Sequence, residues 1–211
     1  MDFEAARASL VESFSTEIKD KRILAVMAHL PRERFVPSES RHLAYEDRPL
    51  PIGFEQTISQ PFIIALMTEA LELTGSEKVL EVGAGSGYQA AILAELARLV
   101  ITVERVPALA DSARQILDSL GYANIEVHVV GKTLGWPGEA PYDAIMVTAG
   151  APKVPADLLA QLAIGGRMVI PVGSHYGQEL CNVVRHRDKN IIQNLGGCRF
   201  VPLIGKDAWK D

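Results

Sequence analysis

The chain contains 211 residues, of which 48% are apolar and 22% are charged, and its formal net charge is −5. This composition excludes disordered and fibrous proteins and predicts one soluble globular domain, because domains usually contain roughly 100–200 residues. No segment concentrates enough positive charge to neutralise several phosphates, so we predict no nucleic-acid partner.

The first third of the chain combines helical periodicity with a long segment that lacks it. Residues 1–34 have helical spacing, and their apolar stripe stops at Pro31. Proline and glycine interrupt residues 35–61, which predicts a long ordered loop with one short strand at most. Loops of this length are uncommon in compact proteins unless they serve a functional site. Helical periodicity returns over residues 62–73.

From residue 75 the chain alternates short apolar strands with helices. Strands are predicted at residues 78–82, 100–103, 125–130, 142–148 and 168–172, and helices at 88–99, 107–120 and 155–162. A C-terminal hairpin follows at 179–187 and 191–195. The alternation is typical of an α/β protein with a doubly wound, mostly parallel sheet and antiparallel strands at its edge. We expect residues 1–74 to form an N-terminal helical and loop extension on a core of residues 75–211.

A glycine-rich loop follows the first strand of this core. Gly83, Ala84 and Gly85 allow a sharp turn and a close approach of the backbone to a ligand, and Gly87 opens the next helix. Ligands of such sheets bind beyond the carboxyl ends of the strands. A plain tight turn is the alternative interpretation. A dinucleotide-binding loop has a further glycine where this chain has Tyr88, so a nucleotide without a pyrophosphate fits better.

An acidic residue ends the second strand of the core. Glu104 lies 19 residues beyond Gly85, about where an acid accepts hydrogen bonds from ribose hydroxyls. The alternative is a solvated strand end. Taken together, the glycine loop and Glu104 favour an adenosyl ligand.

Other features of the sequence favour a cytoplasmic monomer without a metal. The five histidines lack ligand spacing, and Cys181 and Cys198 lack the short spacing of a metal or redox site, so no metal is predicted. The N-terminal residues do not resemble a targeting peptide, and charged residues interrupt the longest apolar runs, so no membrane association is predicted. We expect a monomer because no extended heptad pattern is present.

Eight segments of the chain form a set of motifs: FVP (35–37), LAYEDRPLPIG (43–53), QTISQP (56–61), VLEVGAGSGYQAA (79–91), TLGWP (133–137), PYDAIMVTA (141–149), GGRMVIPVG (165–173) and RFVPL (199–203). Together they resemble the protein-L-isoaspartate O-methyltransferase family, and the resemblance runs from about residue 18 to the C-terminus. The glycine loop is shared by many methyltransferases, whereas QTISQP and RFVPL are much more specific.

The resemblance implies a Rossmann-like methyltransferase fold and a repair reaction. The methyl group of S-adenosylmethionine passes to the free α-carboxylate of an L-isoaspartyl residue in a damaged protein or peptide, leaving S-adenosylhomocysteine. The ester then collapses to a succinimide, which partly reopens as aspartate. Ser59 corresponds to the family's active-site hydroxyl, while Gln56, Thr57 and Ile58 are expected to line the cofactor opposite the glycine loop. A serine that only bonds its own loop is the alternative for Ser59.

One position departs from the family pattern. Many members have Gly-Asp-Gly where this chain has Gly131, Lys132 and Thr133, and that aspartate accepts the adenine amino group. Lysine only donates hydrogen bonds, so the adenine has to use a backbone carbonyl or water at the site of Lys132 and Thr133. We predict a weaker cofactor site, by the roughly 0.5–1.5 kcal/mol of one hydrogen bond. A lysine that points outward is the alternative.

Two other functions stay open at this point. One is a methyltransferase for a small molecule or an RNA base, which the acidic composition and the absence of an Asn-Pro-Pro-Tyr-type motif disfavour. The other is a binding module that kept the adenosyl pocket without turnover, for which Lys132 is the hint.

Overall fold

The computed structural model describes residues 2–210, and its centre is a seven-stranded sheet. A separate two-stranded sheet pairs the first two strands. The strands are β1 (Leu50–Gly53), β2 (Gln56–Ile58), β3 (Lys78–Val82), β4 (Leu99–Glu104), β5 (Ile125–Val129), β6 (Tyr142–Val147), β7 (Leu162–Ser174), β8 (Gly177–Val184) and β9 (Ile191–Cys198). The order in the large sheet is β5-β4-β3-β6-β7-β8-β9.

The first five strands of this order are parallel, and β8 and β9 extend the sheet as antiparallel strands. Almost every residue of β3, β4 and β6 is buried, as expected for strands that helices cover on both faces. The predicted α/β fold with a doubly wound, mostly parallel sheet and a C-terminal antiparallel hairpin is therefore confirmed.

The helices begin at residues suited to that position. Asp2 and Asp20 precede helices, and their carboxylates accept hydrogen bonds from backbone amides of the first turn. Pro61 and Pro107 occupy first-turn positions of others. The helices are α1 (Phe3–Ser13), α2 (Lys21–His29), α3 (Pro61–Ala70), α4 (Tyr88–Leu96), α5 (Pro107–Ser119) and α6 (Ala156–Gln161).

The segment predicted to be a long loop contains more regular structure than expected. It forms two 3-10 helices, Arg32–Phe35 and Ser38–Leu43, and then the antiparallel hairpin β1–β2. The prediction of one strand at most was wrong. Phe54 and Glu55 turn the hairpin with φ values of 53° and 59°, a conformation for which glycine or asparagine is the usual sequence signal.

The N-terminal helices pack on the same hydrophobic cluster as the sheet. Ile18, Met27 and Phe35 belong to a buried cluster that also contains Ile92 and Leu93 of α4. A second cluster lies among β6, β7 and α6. Over residues 2–210, no helix has the length and apolar character that crossing a membrane requires.

Candidate active site

A cleft opens at the carboxyl ends of β3, β4 and β6. Its empty space, counted out to the open mouth, is about 880 Å³. The N-terminal extension closes one side of it, and the C-terminal segment covers another. Its walls come from residues 56–59, 64, 82–86, 89, 103–105, 130–131, 133–135, 148–149 and 201–204.

The glycine loop forms the floor of the cleft, close to the strand ends. Gly83 has a φ of +103°, and a Cβ there would lie 2.3 Å from Thr148 Oγ1. The amide of Gly83 donates to the carbonyl of Val103 over 2.8 Å, which anchors the loop to β4. Gly85 also has a positive φ, +52°. Gly83 thus allows the loop to turn sharply and to lie against Thr148 at a place where a side chain does not fit.

Glu104 is held in place at the end of β4. Only 6% of the residue is exposed, which excludes the alternative of a solvated strand end. Its Oε2 accepts a hydrogen bond from the Gly85 amide over 2.9 Å, and its Oε1 accepts one from the Val106 amide over the same distance. A carboxylate has about four acceptor sites, so this one retains capacity for the hydroxyls of a ribose.

A second buried carboxyl group, Glu81, lies on β3 beside Glu104. Burial, and to a lesser degree the charge of Glu104, raise the pKa of Glu81 to about 8. The Thr102 hydroxyl donates to Glu81 Oε2 over 2.5 Å. Glu81 is therefore protonated at neutral pH and adds no second negative charge beside Glu104. No pattern in the sequence pointed to Glu81 as a residue of the site.

Ser59 lies half-buried in the cleft wall that the N-terminal extension provides. Its carbonyl accepts a hydrogen bond from Arg32 Nη2 over 2.8 Å. Within residues 2–210, no protein group forms a hydrogen bond with the Ser59 hydroxyl, in contrast to a serine that only bonds its own loop. The hydroxyl is thus available to a ligand.

Thr148 and Gln89 are among the polar residues of the cleft that were missed from the sequence. The Thr148 hydroxyl lies within hydrogen-bond distance of the carbonyls of Val82 and Gly83, at 3.0 and 2.8 Å. Thr148 follows β6 directly, so its position at a strand's carboxyl end was a usable signal. Gln89, in the first turn of α4, is buried and donates to Thr68 Oγ1 over 3.0 Å; its helical position gave no such signal.

The C-terminal segment covers the cleft through pairing with the loop after β6. The amide of Leu203 donates to the carbonyl of Gly150, and the amide of Gly150 donates to the carbonyl of Val201. Both distances are 2.8 Å. The Phe200 amide donates to Gln178 Oε1, also over 2.8 Å. These hydrogen bonds fix residues 201–204, which line the cleft, against the rest of the protein.

The structure brings most of the predicted site residues together. Those that line this one cleft are Gln56, Thr57, Ile58, Ser59, Gly83, Ala84, Gly85, Glu104 and Thr133. Gly87 and Lys132 do not line it. Gly87 instead precedes α4, where a Cβ would lie 3.3 Å from Ala113 Cβ, and it allows α4 and α5 to pack closely. Lys132 is exposed, although Gly131 and Thr133 on either side contribute to the wall.

The histidines and thiols take no part in the cleft. No group of three or more His, Cys, Asp or Glu side chains suited to a metal ion occurs between residues 2 and 210. Cys181 and Cys198 are free thiols, and burial raises the pKa of each.

A doubly wound sheet with a glycine loop and a fixed carboxylate at its carboxyl edge defines a class, the Rossmann-like methyltransferases. A solved structure of a protein-L-isoaspartate O-methyltransferase has a TM-score of 0.85 to this chain at 27% identity, covering 97% of this chain and 67% of its own. The fold of this chain therefore agrees with that of a solved member of this class.

The sequence comparisons identify the family. A family model described as protein-L-isoaspartate(D-aspartate) O-methyltransferase matches residues 6–208. A protein-L-isoaspartate O-methyltransferase of Geobacter metallireducens is 53% identical over 212 residues, which cover 99% of this chain and 98% of that protein. Protein-L-isoaspartate O-methyltransferase 1 of Syntrophobacter fumaroxidans is 54% identical over 212 residues, 100% and 99% of the two chains. This chain belongs to the protein-L-isoaspartate(D-aspartate) O-methyltransferase family.

Proposed function

We propose that this protein is a repair enzyme that methylates the free α-carboxylate of L-isoaspartyl residues in damaged proteins and peptides, with S-adenosylmethionine as methyl donor. The observation that carries the proposal is that the QTISQP segment and the glycine loop line the same cleft. The methyl ester is more electrophilic than a carboxylate and can lose methanol, so a neighbouring backbone amide nitrogen attacks the ester carbonyl and closes a succinimide. Water then opens this ring, partly to aspartate.

The residues of the cleft fit an adenosyl cofactor. Gly83 turns the backbone sharply in the floor of the cleft, where a Cβ would collide with Thr148, and Glu104 provides a fixed carboxylate for the ribose hydroxyls. Gly131 and Thr133 lie in the wall proposed for the adenine, with backbone groups that replace the aspartate of other members. When bound, S-adenosylmethionine supplies an electrophilic methyl group on a positively charged sulfur.

The protein's own contribution to the reaction is positioning rather than proton abstraction. The acceptor carboxylate has an ordinary pKa near 4 and is already ionised at neutral pH, so no general base is required. The Ser59 hydroxyl is proposed to donate a hydrogen bond to one carboxylate oxygen and to direct the other towards the methyl group. Gln56, Thr57 and Ile58 of the hairpin exclude water above the reacting atoms. Well-oriented reactants gain roughly 7–11 kcal/mol in favourable intramolecular cases.

The two parts of the chain have different roles in this proposal. Residues 1–74 carry the acceptor side of the cleft, and residues 75–211 form the core that binds the cofactor. We further propose that the protein acts as a cytoplasmic monomer on damaged polypeptides, without a metal, a membrane or a nucleic acid. The acidic net charge of −5 supports the last point.

A methylation assay tests the proposal and separates it from its alternatives. The protein is incubated with labelled S-adenosylmethionine and either an isoaspartyl peptide or its aspartyl counterpart. Base-labile label on the isoaspartyl peptide alone is expected. Label on neither peptide, despite binding of the cofactor, would favour a binding module or a methyltransferase with another acceptor.

The serine variant tests the mechanism. Ser59→Ala removes a hydrogen bond to the reacting carboxylate, so we expect kcat to fall roughly 10–100-fold. The affinity for S-adenosylhomocysteine, measured by calorimetry, should stay within about twofold, because the hydroxyl contacts the acceptor rather than the cofactor. Ser38→Ala, on the exposed surface of the second 3-10 helix, is the matched control. An undiminished rate for Ser59→Ala would remove Ser59 from the mechanism.

A further inference from the structure

A buried arginine, Arg32, lies behind the wall of the cleft that carries Ser59. It belongs to the first 3-10 helix and has no exposed surface. Within residues 2–210, no carboxylate forms an ion pair with it, which is unusual for a buried charge. Burial lowers the pKa of Arg32 only to about 10, so the side chain is charged at neutral pH.

The guanidinium group binds two backbone carbonyls that are distant in sequence. Nε donates to the Ala44 carbonyl over 2.9 Å, and Nη2 donates to the Ser59 carbonyl over 2.8 Å. Ala44 lies at the end of the second 3-10 helix and Ser59 directly after β2, so one side chain spans the hairpin between them. A planar fork of donors suits this double contact, whereas the single ammonium group of a lysine does not.

The same side chain also contacts the helix that follows the glycine loop on the opposite side of the cleft. The Arg32 Cζ lies 4.9 Å from the ring centroid of Tyr88, a distance typical of a cation–π contact. Tyr88 is buried and is the first residue of α4, directly after the glycine loop. Phe35, of the same 3-10 helix as Arg32, packs edge-on against Tyr88 with ring centroids 5.3 Å apart. Arg32 thus joins the Ser59 segment to the residue that follows the glycine loop.

We propose that Arg32 is a positioning residue for methyl transfer, which fixes the backbone of Ser59 at a set distance from the glycine loop. A well-packed apolar side chain would fill this space without the cost of burying a charge. The guanidinium group adds a directional hydrogen bond to the carbonyl of Ser59, the residue whose hydroxyl is proposed to bind the acceptor carboxylate. The inference rests on the function proposed above, in which that hydroxyl orients the acceptor carboxylate.

The first experiment compares Arg32→Lys and Arg32→Met with Arg34→Met. Arg34 lies in the same 3-10 helix but is exposed, and its side chain donates to Ser119 Oγ over 2.8 Å, so it is a matched control. We expect both Arg32 variants to lower kcat by about tenfold or more, because small misplacements of a reacting group have large effects on rate. The affinity for S-adenosylhomocysteine should stay within about threefold, and Arg34→Met should match the unmodified protein.

A double-mutant cycle separates positioning from a general structural role. If Arg32 acts through Ser59, Arg32→Lys should lower kcat by less than about twofold once Ser59 is already alanine. An equal loss in both backgrounds would overturn the proposal, because it would show that Arg32 affects the rate by another route. The lysine variant keeps the charge and carries this test even where Arg32→Met fails to fold.

A second measurement needs neither activity nor cofactor. Hydrogen exchange of the ligand-free protein should become at least about fivefold faster over residues 50–60 in Arg32→Lys, with β3 unchanged. Unchanged exchange over residues 50–60 would overturn the positioning role. Since exchange does not depend on turnover, a protein that fails to methylate the isoaspartyl peptide would refute the proposed function and leave this result decisive for Arg32.

Discussion

The two walls of the cleft are built in different ways. The cofactor wall, which we define as residues 82–86 with Glu104, continues directly from parallel strands. Its amides bond to the neighbouring strand, as Gly83 does with the Val103 carbonyl over 2.8 Å. The acceptor wall, residues 50–60, is a hairpin whose two strands pair only with each other.

Side chains from elsewhere hold the acceptor wall in place. Arg32 bonds to the Ser59 carbonyl across 27 positions of sequence. Asp47 accepts hydrogen bonds from Gln60 Nε2 and from the Phe62 amide, each over 2.9 Å, where α3 begins. The sheet therefore fixes the cofactor wall, whereas a few long-range contacts determine where the acceptor wall lies. Substitutions in the cofactor wall should change binding of the cofactor, and those behind the acceptor wall should change turnover.

The largest effect is expected from Gly83→Ala. Its Cβ would lie 2.3 Å from Thr148 Oγ1, a hydroxyl that itself lies 2.8 Å from the Gly83 carbonyl. The φ of +103° adds backbone strain of roughly 1–3 kcal/mol for a residue with a side chain. We expect affinity for S-adenosylhomocysteine, measured by calorimetry, to fall about 100-fold, since each 1.4 kcal/mol is a factor of ten.

Gly75→Ala is the control for the strain alone. Gly75 has a similar φ of +107°, but a Cβ there meets no atom within 4 Å, and the residue lies outside the cleft. This variant should be less stable than the unmodified protein yet bind S-adenosylhomocysteine normally. Equal losses of affinity in both variants would contradict the view that cofactor binding requires a residue without a Cβ at position 83.

A smaller effect is expected from Glu81→Gln, and it depends on pH. The folded protein raises the pKa of Glu81 from 4.5 to about 8, so the folded state holds a proton that the unfolded chain releases. The contribution of Glu81 to stability is complete below about pH 4.5 and is lost progressively as the pH rises through 8. Relative to Glu81→Gln, the unmodified protein should lose a few kcal/mol of unfolding free energy across this interval.

Urea unfolding at several pH values between 5 and 9 measures this difference. Glu17→Gln is the matched control, because Glu17 is exposed and lies outside the sheet. Its stability should follow that of the unmodified protein at each pH. A difference between Glu81→Gln and the unmodified protein that does not change with pH would refute the assignment of a buried, protonated carboxyl group beneath the cofactor wall.

The contrast between the two walls also explains which parts of the site can be predicted from the sequence. The cofactor wall was predictable because its determinants are local: an apolar strand, glycines that permit positive φ, and an acid at the end of the next strand. Ser59 was found only through the family motif. The hairpin was missed because Phe54 and Glu55 adopt a turn conformation that neither residue type favours.

Arg32 could not be found from the sequence at all. An arginine next to Pro31 in a polar stretch is normally solvent-exposed, and its burial depends on Tyr88 and Ser59, which only the folded chain brings near. Long-range contacts of single side chains leave no periodic pattern, so the structure is required to identify them. The same reasoning applies to Lys132, whose exposed position follows from the fold of its neighbours.

The smallest effects are expected at Lys132, which lies between the cleft residues Gly131 and Thr133 without lining the cleft itself. Lys132→Ala should change the dissociation constant of S-adenosylhomocysteine by less than about twofold, because the lysine is exposed and does not line the cleft. Lys132→Asp introduces the acceptor that other members have, and one hydrogen bond of roughly 0.5–1.5 kcal/mol would tighten binding about 2–10-fold. Calorimetry on both variants measures the dissociation constant of S-adenosylhomocysteine. Tightening by aspartate alone would show that the adenine lacks one partner in this chain, whereas unchanged or poorer binding would mean that position 132 faces away from the cofactor.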